Sequence, residues 1–291
     1  MNVSLTVIAK MTSNYGEGLG NISSVQKVFR GGKTYSIRSR ESLKNAIMVN
    51  SGMYDDLKVT VDGATQKAVS QEMNASNCRS LDGGYMNTSK TTTYIRNSSF
   101  YLTDAISCNE YIIETRFHNN LFLAQTCAKD KGVNLQDKSG DCGLMPYQYE
   151  YDKDLKIYSI TIDLDMIGID ENFNAEAENS EKADRVNIIL TAIEELSLVV
   201  KGNLDNAEPI FVVGGLVNRK THYFENVVNV KNQKLVISPE LKERVENDCN
   251  VGLLMGDNLE NEEEIKTELN ATSVLNFFND LRKKVNTYYG V

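Results

Sequence analysis

Branched apolar residues crowd Val3 to Ala9, and glycines at 16, 18 and 20 then end the run, so a first strand is predicted there. At Ser39 the period changes. Leu43, Ala46 and Ile47 fall at i, i+3 and i+4 behind a Ser39 N-cap and a first-turn Glu41, the pattern of an amphipathic helix. Tyr111 to Phe117 reads as the next strand, and Tyr147 to Leu164 as a hairpin turning at Asp152-Lys153-Asp154. In its second arm Tyr158, Ile160, Ile162 and Leu164 alternate with Ser159, Thr161 and Asp163, as a half-buried strand requires. Beyond an acidic linker, Asp170 to Glu181, the residues Val186, Ile189, Leu190, Ile193 and Val200 mark a helix over about 184–201. Pro209 then opens the apolar run Ile210 to Val213, fit for a buried strand.

Strand, helix, strand, strand, helix, strand is the βαββαβ order of an α+β, ferredoxin-like or RRM-like core, with two helices on one face of an antiparallel sheet and the other face open. Residues 1–291 then form a single elaborated domain. Insertions at about 10–38 and 51–109 would emerge as loops, building a finger-like subdomain beside the open face, part of it mobile. A hairpin is expected around Asn232-Gln233 within Val227 to Ile237, followed by a C-terminal helical extension over about 239–291. Its last helix carries Val274, Phe277, Phe278, Leu281, Val285 and Tyr288 at helical spacing and is expected to pack on the domain itself.

Charge is divided unevenly. Residues 1–50 hold seven Lys/Arg against two acids, a net +5, in a chain whose total is -9. Such a division keeps one face positive for a polyanion while the remainder stays acidic. No run approaches the roughly 18–20 apolar residues of a membrane span, so no membrane partner and a cytoplasmic location are expected. The cysteines at 78, 108, 127, 142 and 249 lack Cys-x-x-Cys spacing, and only His118 and His222 could join them; zinc spacing is absent and reduced thiols are expected. No cofactor is called for.

The strings TVIAKMTSNYGEGLGN (6–21), GGKTYSIRSRESLKNAI (31–47) and FVVGGLVNRKTHYFEN (211–226) resemble the type I-B, DevR-like branch of the CRISPR Cascade backbone subunit family. SLDGGYMNTSK (80–90) and ISCNEYIIETRFHNN (106–120) extend the likeness in collinear order. The chain departs from the family's Asp-Leu-Phe-Gly-Tyr-Met type run, which stands here as Leu81-Asp82-Gly83-Gly84-Tyr85-Met86 without the Phe. The resemblance implies the same RRM-like architecture and a subunit that polymerises along a CRISPR RNA. Its implied partners are that RNA, target DNA through the guide, other copies of itself and other Cascade subunits.

Candidate RNA contacts are Asn14, Tyr15, Gly16, Gly18 and Asn21 in the glycine loop, whose exposed amides suit a close backbone approach. Lys27, Arg30 and Lys33 follow in the basic segment, and Arg38, Ser39, Arg40, Ser42 and Lys44 surround a helix N-terminus as a phosphate cradle. Arg38 and Arg40 stand out, since guanidinium groups hold phosphate in a bidentate way. Arg96, Asn218, Arg219 and Lys220 complete the set. The RNP1 signature is missing, so binding through phosphates and shape is expected rather than stacking on the sheet. The loop is neither a P-loop nor a dinucleotide fingerprint, which leaves a nucleotide-binding regulator a weak third reading. The chain is expected to be no enzyme; the alternative is a metal-dependent nuclease using Asp163, Asp165 and Asp170, although Asp163 and Asp165 continue the polar positions of a strand.

Overall fold

The computed structural model describes residues 1–16, 22–89, 92–247 and 249–291. Its frame is a nine-stranded sheet of β1 (Asn2–Thr12), β2 (Lys27–Arg30), β3 (Lys33–Arg38), β4 (Phe100–Leu102), β5 (Ala105–Ser107), β6 (Lys153–Asp163), β7 (Pro209–Val217), β8 (Asn250–Leu253) and β9 (Thr272–Ser273). The helices are α1 (Arg40–Asn50), α2 (Leu121–Asp130), α3 (Asn179–Glu194), α4 (Pro239–Glu246), α5 (Glu262–Glu268) and α6 (Val274–Tyr289). The strands lie in the order β9-β8-β7-β1-β6-β5-β3-β2, and β4 also pairs with β6. Neighbours are antiparallel except β8 and β9.

Strand β1 sits between β6 and β7, with Leu5 opposite Ile160 on one side and Gly214 on the other. Its odd-numbered residues Val3, Leu5, Val7, Ala9 and Met11 face α1, α3 and α6, packing with Leu43 and Ile47, Val186 and Ile189, and Phe277 and Phe278. Each large aliphatic buried there contributes about 1.5–3 kcal/mol, so this face fixes how the helices lie on the sheet. Helix α6 approaches closely because residue 252 is glycine: a Cβ would stand 2.8 Å from Val212 Cγ1 and 2.9 Å from Phe277 Cβ.

The face opposite the helices is not open as expected. Ile8, Leu155, Phe211 and Val213 pack there against Phe224, Val228, Leu235, Leu241 and Ile265, a second core supplied by the chain after β7. The polar positions of that face are strapped down as well: Ser4 Oγ donates to the Thr221 carbonyl at 3.0 Å and accepts from the Tyr223 amide at 3.0 Å, and Thr161 Oγ1 donates to the same carbonyl at 2.9 Å. The apolar character of the segment after residue 217 is spread over short elements, so no single period advertised a second layer.

Other boundaries also move. The strand that follows α1 in the sheet is Phe100–Ser107, interrupted after Leu102, not Tyr111 to Phe117. Pro146–Glu150 forms no hairpin with β6; it pairs antiparallel with Thr115–Asn119 and parallel with Ile22–Ser23 in a separate small sheet beside α2. Residues 10–38 are only partly a loop, since β2 and β3 extend the large sheet. Residues 51–99 hold the hairpins Val59–Asp62/Ala64–Lys67 and Tyr85–Thr88/Thr93–Arg96 around a small core of Ala75, Cys78, Leu81 and Tyr85. Helix α3 begins inside the acidic linker and ends at Glu194, because Lys201 and Gly202, both at positive φ, turn Ser197–Val200 back onto Asn203–Asn206. The hairpin around Asn232-Gln233 forms as expected, and α6 buries Tyr289 rather than Tyr288. No helix among the described residues is long and apolar enough to cross a membrane.

Candidate nucleic-acid interface

Helix α1 begins where the sequence places it, but its first turn is already occupied. Ser39 accepts from the Ser42 amide at 3.3 Å, Asn14 Oδ1 accepts from the Ser39 amide at 2.8 Å, and Asp104 Oδ1 accepts from the Arg40 amide at 2.8 Å. The helix end is therefore capped from within and is no open anion cradle. Arg38 corrects the expectation most sharply. It is 4% exposed, with Nε donating to the Thr12 carbonyl at 3.0 Å and Nη1 to Ser42 Oγ at 2.9 Å. Burial pulls its guanidinium down to about 10. Lys44 also turns inward, donating to the Gly83 carbonyl at 2.9 Å and Ser98 Oγ at 2.7 Å, and burial followed by repulsion from Lys67 brings it down to about 8. Of this cluster Arg40 alone is a predominantly exposed cation, 2.9 Å from Glu41 Oε1.

Arg40 stands where two hollows meet. One, of about 750 Å³, lies on the face away from α1 and α3, between the β2–β3 hairpin and the segment Glu225 to Lys231; Arg30, Tyr35, Asp104 and Lys231 line it. The other, of about 470 Å³, adds Lys44, Tyr101 and His222. Lys220 reaches over the Tyr101 ring at 4.8 Å from its centroid and pairs with Asp163 at 2.9 Å, while Asn218 and Arg219 are exposed beside it. The fold thus brings the N-terminal basic block and the loop after β7 to one side of the molecule. His222 Nδ1 meets Thr161 Oγ1 at 2.9 Å, and burial holds its imidazole below the usual histidine range.

The remaining expected contacts divide. Tyr15 donates to the Glu150 carbonyl at 2.8 Å, and burial pushes its phenol up to about 12. Gly16 donates to the Ser24 carbonyl at 3.0 Å. Gly18 and Asn21 lie outside the described residues. Lys27 pairs with Glu150 at 2.6 Å, and Lys33 with Glu110 at 3.1 Å. Arg96, expected to reach RNA, turns inward instead: it is 8% exposed, pairs with Asp82 at 3.0 Å, and donates to the carbonyls of Ile169, Leu81 and Met166 at 2.7–3.0 Å. A buried guanidinium must be paired and hydrogen-bonded, and each of these contacts helps meet that need.

The three aspartates of the nuclease reading are each engaged in other contacts. Asp163 pairs with Lys220, Asp165 with the N-terminal amine at 2.5 Å and with Tyr288, and buried Asp170 accepts from the Ala75 amide and the Tyr85 hydroxyl at 2.9 Å. Among the described residues no group of three or more His, Cys, Asp or Glu could hold a metal. Sequence reasoning missed Tyr35, Tyr101, His222 and Lys231 as lining residues. It also missed the period-two set Arg116, His118, Tyr147, Tyr149 and Tyr151, whose alternation was visible but was assigned to the wrong sheet.

This fold matches solved structures along its length. The family model described as "CRISPR-associated negative auto-regulator DevR/Csa2" matches residues 3–239, and the chain belongs to that family. A chain of a structure titled "CRISPR RNA-guided surveillance complex" is similar at a TM-score of 0.56 and 15% identity, over 98% of this chain and 99% of that one. One from "CRISPR RNA-guided surveillance complex, pre-nicking" is similar at a TM-score of 0.60 and 12% identity, over 100% and 99%. Identities this low speak for the fold alone. The comparison with curated proteins gave no match.

Proposed function

We propose that this chain is a non-catalytic, RNA-binding backbone subunit of a type I-B-like CRISPR surveillance complex. Several copies would coat a CRISPR RNA and present its bases to target DNA in antiviral defence, beside other subunits in the cytoplasm. The observation that carries this reading is the end-to-end fold match to chains from RNA-guided complexes in a chain that belongs to a CRISPR-associated family. The central order β7-β1-β6-β5, all antiparallel, with α1 and α3 on one face, is read as the RRM-like core. On this reading residues 1–291 form one domain, and the segments 51–99 and 111–151 are its arms.

The guide path follows the two hollows that meet at Arg40. Arg30, Arg40 and Lys231 would contact phosphates there, with Arg219 and Lys220 extending the path. The glycine loop from Asn14 to Asn21 remains part of the proposal. Arg38 and Arg96 leave it, because their guanidinium groups are consumed inside the fold.

Replacing Arg30 and Arg40 together with Glu is expected to weaken binding to unrelated single-stranded RNAs alike, and each lost phosphate contact lowers the salt slope by about 0.7. Filter binding over a salt series reads both quantities. Mass measured by light scattering should rise in steps with RNA length when partner subunits are supplied. One protein per RNA at every length would refute the backbone reading.

A further inference from the structure

The small sheet of Thr115–Asn119, Pro146–Glu150 and Ile22–Ser23 carries a face that the guide path does not use. Because side chains alternate along a strand, Arg116 and His118 share one side, and Tyr147 and Tyr149 meet them across the antiparallel pairing. The rings of Tyr147, His118 and Tyr149 lie within about 22° of one another, at centroid distances of 5.5 Å, 4.8 Å and, between the two tyrosines, 6.5 Å. A straight column would place the tyrosines as far apart as both steps together. The shorter separation means that the three rings, overlapping in part, form a staggered group, the platform, and not a straight column.

Cations border this platform. Arg116 lies over the Tyr151 ring at 3.5 Å, and Lys201 stands 5.0 Å from the centroid of Tyr15, whose ring meets Tyr149 edge-on at 6.1 Å. No ring of the platform belongs to a buried core, and Tyr147 is 44% exposed. Parallel aromatic faces flanked by exposed cations meet the needs of one ligand class: flat π-systems joined by an anionic chain. Phosphate alone would need no aromatic surface, and an apolar peptide would need no cations.

We infer that the face formed by Arg116, His118, Tyr147, Tyr149 and Tyr151 is a second nucleic-acid contact, which stacks the bases of a single strand and takes the flanking phosphates on Arg116 and Lys201. The inference rests on the proposed RNA-binding role and adds to it a term that is insensitive to sequence and nearly insensitive to salt. Each base has a π-face, so the platform serves RNA and DNA strands alike.

Stacking and phosphate contacts separate by their salt dependence. Replacing Tyr147 and Tyr149 with Leu is expected to lower affinity for a 2-aminopurine-labelled single strand roughly tenfold, to abolish the fluorescence change on binding, and to leave the salt slope unchanged. Phe at both positions should restore affinity and signal, which a requirement for the hydroxyls would not allow. Wild-type protein photo-crosslinked to an iodouracil strand should yield adducts at Tyr147 or Tyr149, a readout that needs no variant. Parallel RNA and DNA oligonucleotides show which strand is preferred. Wild-type affinity in the Leu variant, or adducts confined to the hollows around Arg40, overturns the platform while leaving the guide path standing. Absence of any single-strand binding by the wild type overturns both.

Discussion

The two arms are held by opposite means. The arm over residues 51–99 is bolted to α3 and the adjoining loops through buried charge: Asp82, fully buried, meets Arg96 at 3.0 Å and Arg185 at 2.9 Å, and accepts from Ser99 Oγ at 2.8 Å and the Gly168 amide at 3.1 Å. Arg185 goes on to the carbonyls of Ala75 and Ser76, and Arg79 holds Glu181 and Asp184 on α3. The arm over 111–151 has a core of only Ala124, Ala128 and Cys142 with a few partly buried neighbours, and it leaves Ile112, Phe117, Phe122 and Leu123 61–84% exposed. Its root hangs on Glu150, which accepts from Lys27, the Val25 amide and Tyr111. Charges buried in pairs admit few alternative arrangements, whereas an arm with so small a core and so much exposed apolar surface has less within the chain to hold it. One arm is locked within the chain; the other keeps large apolar side chains at its surface.

The largest effect that would break this contrast comes from Asp82→Ala. It leaves two buried guanidinium groups without their shared carboxylate, and a loss of about 3–5 kcal/mol in unfolding free energy is expected by denaturant titration. Glu150→Gln should cost about 1–2 kcal/mol and act locally, raising amide exchange in Thr115–Asn119 and Pro146–Glu150 while leaving Tyr85–Arg96 protected. Burial alone would raise the Glu150 carboxyl, but Lys27 and the Val25 amide hold it below its ordinary 4.5. Its contribution is therefore present above that pH and lost as pH falls through the lower folded value; tyrosine near-ultraviolet dichroism of the wild type should decline there, by less in Glu150→Gln. The smallest effect on stability is expected from Phe122→Ser with Leu123→Ser, within about 0.5 kcal/mol of wild type. The same pair should reduce self-association on long RNA, read by sedimentation; unchanged assembly would show that this surface serves no neighbouring copy.

What could be read from the sequence was what local chemistry decides. Ser39 caps α1 because a serine hydroxyl reaches its own helix's amide wherever the helix lies. Asn232 and Gln233 turn a hairpin for equally local reasons. Arg38 and Arg40, two residues apart, could not be told apart, since their difference depends on which side of β3 meets the core. Ser36 and Arg38 share the inward side, and Arg40 lies past the strand's end. The run Tyr111-Ile112-Ile113 looked like a core strand, yet those isoleucines are 84% and 70% exposed, while the true strand Phe100–Ser107 hides behind the polar break Thr103-Asp104. Helix α2 escaped notice because its leading Leu121-Phe122-Leu123 is a contiguous run without amphipathic spacing, and Asn120 makes no side-chain cap bond.

The strand in the middle of the sheet is made well before the strands that flank it. Strand β1 ends at Thr12, but its two flanking partners are completed only at Asp163 and Val217. At about 5–20 residues per second, the second flank arrives roughly 10–40 s after β1 has been made. Until β6 is complete, roughly 8–30 s at that rate, β1 has neither neighbour, and its apolar face is a ready template for pairing with another nascent chain. Polysomes making several copies from one message would place such strands side by side. A holdase that covers β1 until Val217 emerges should raise the yield of native protein.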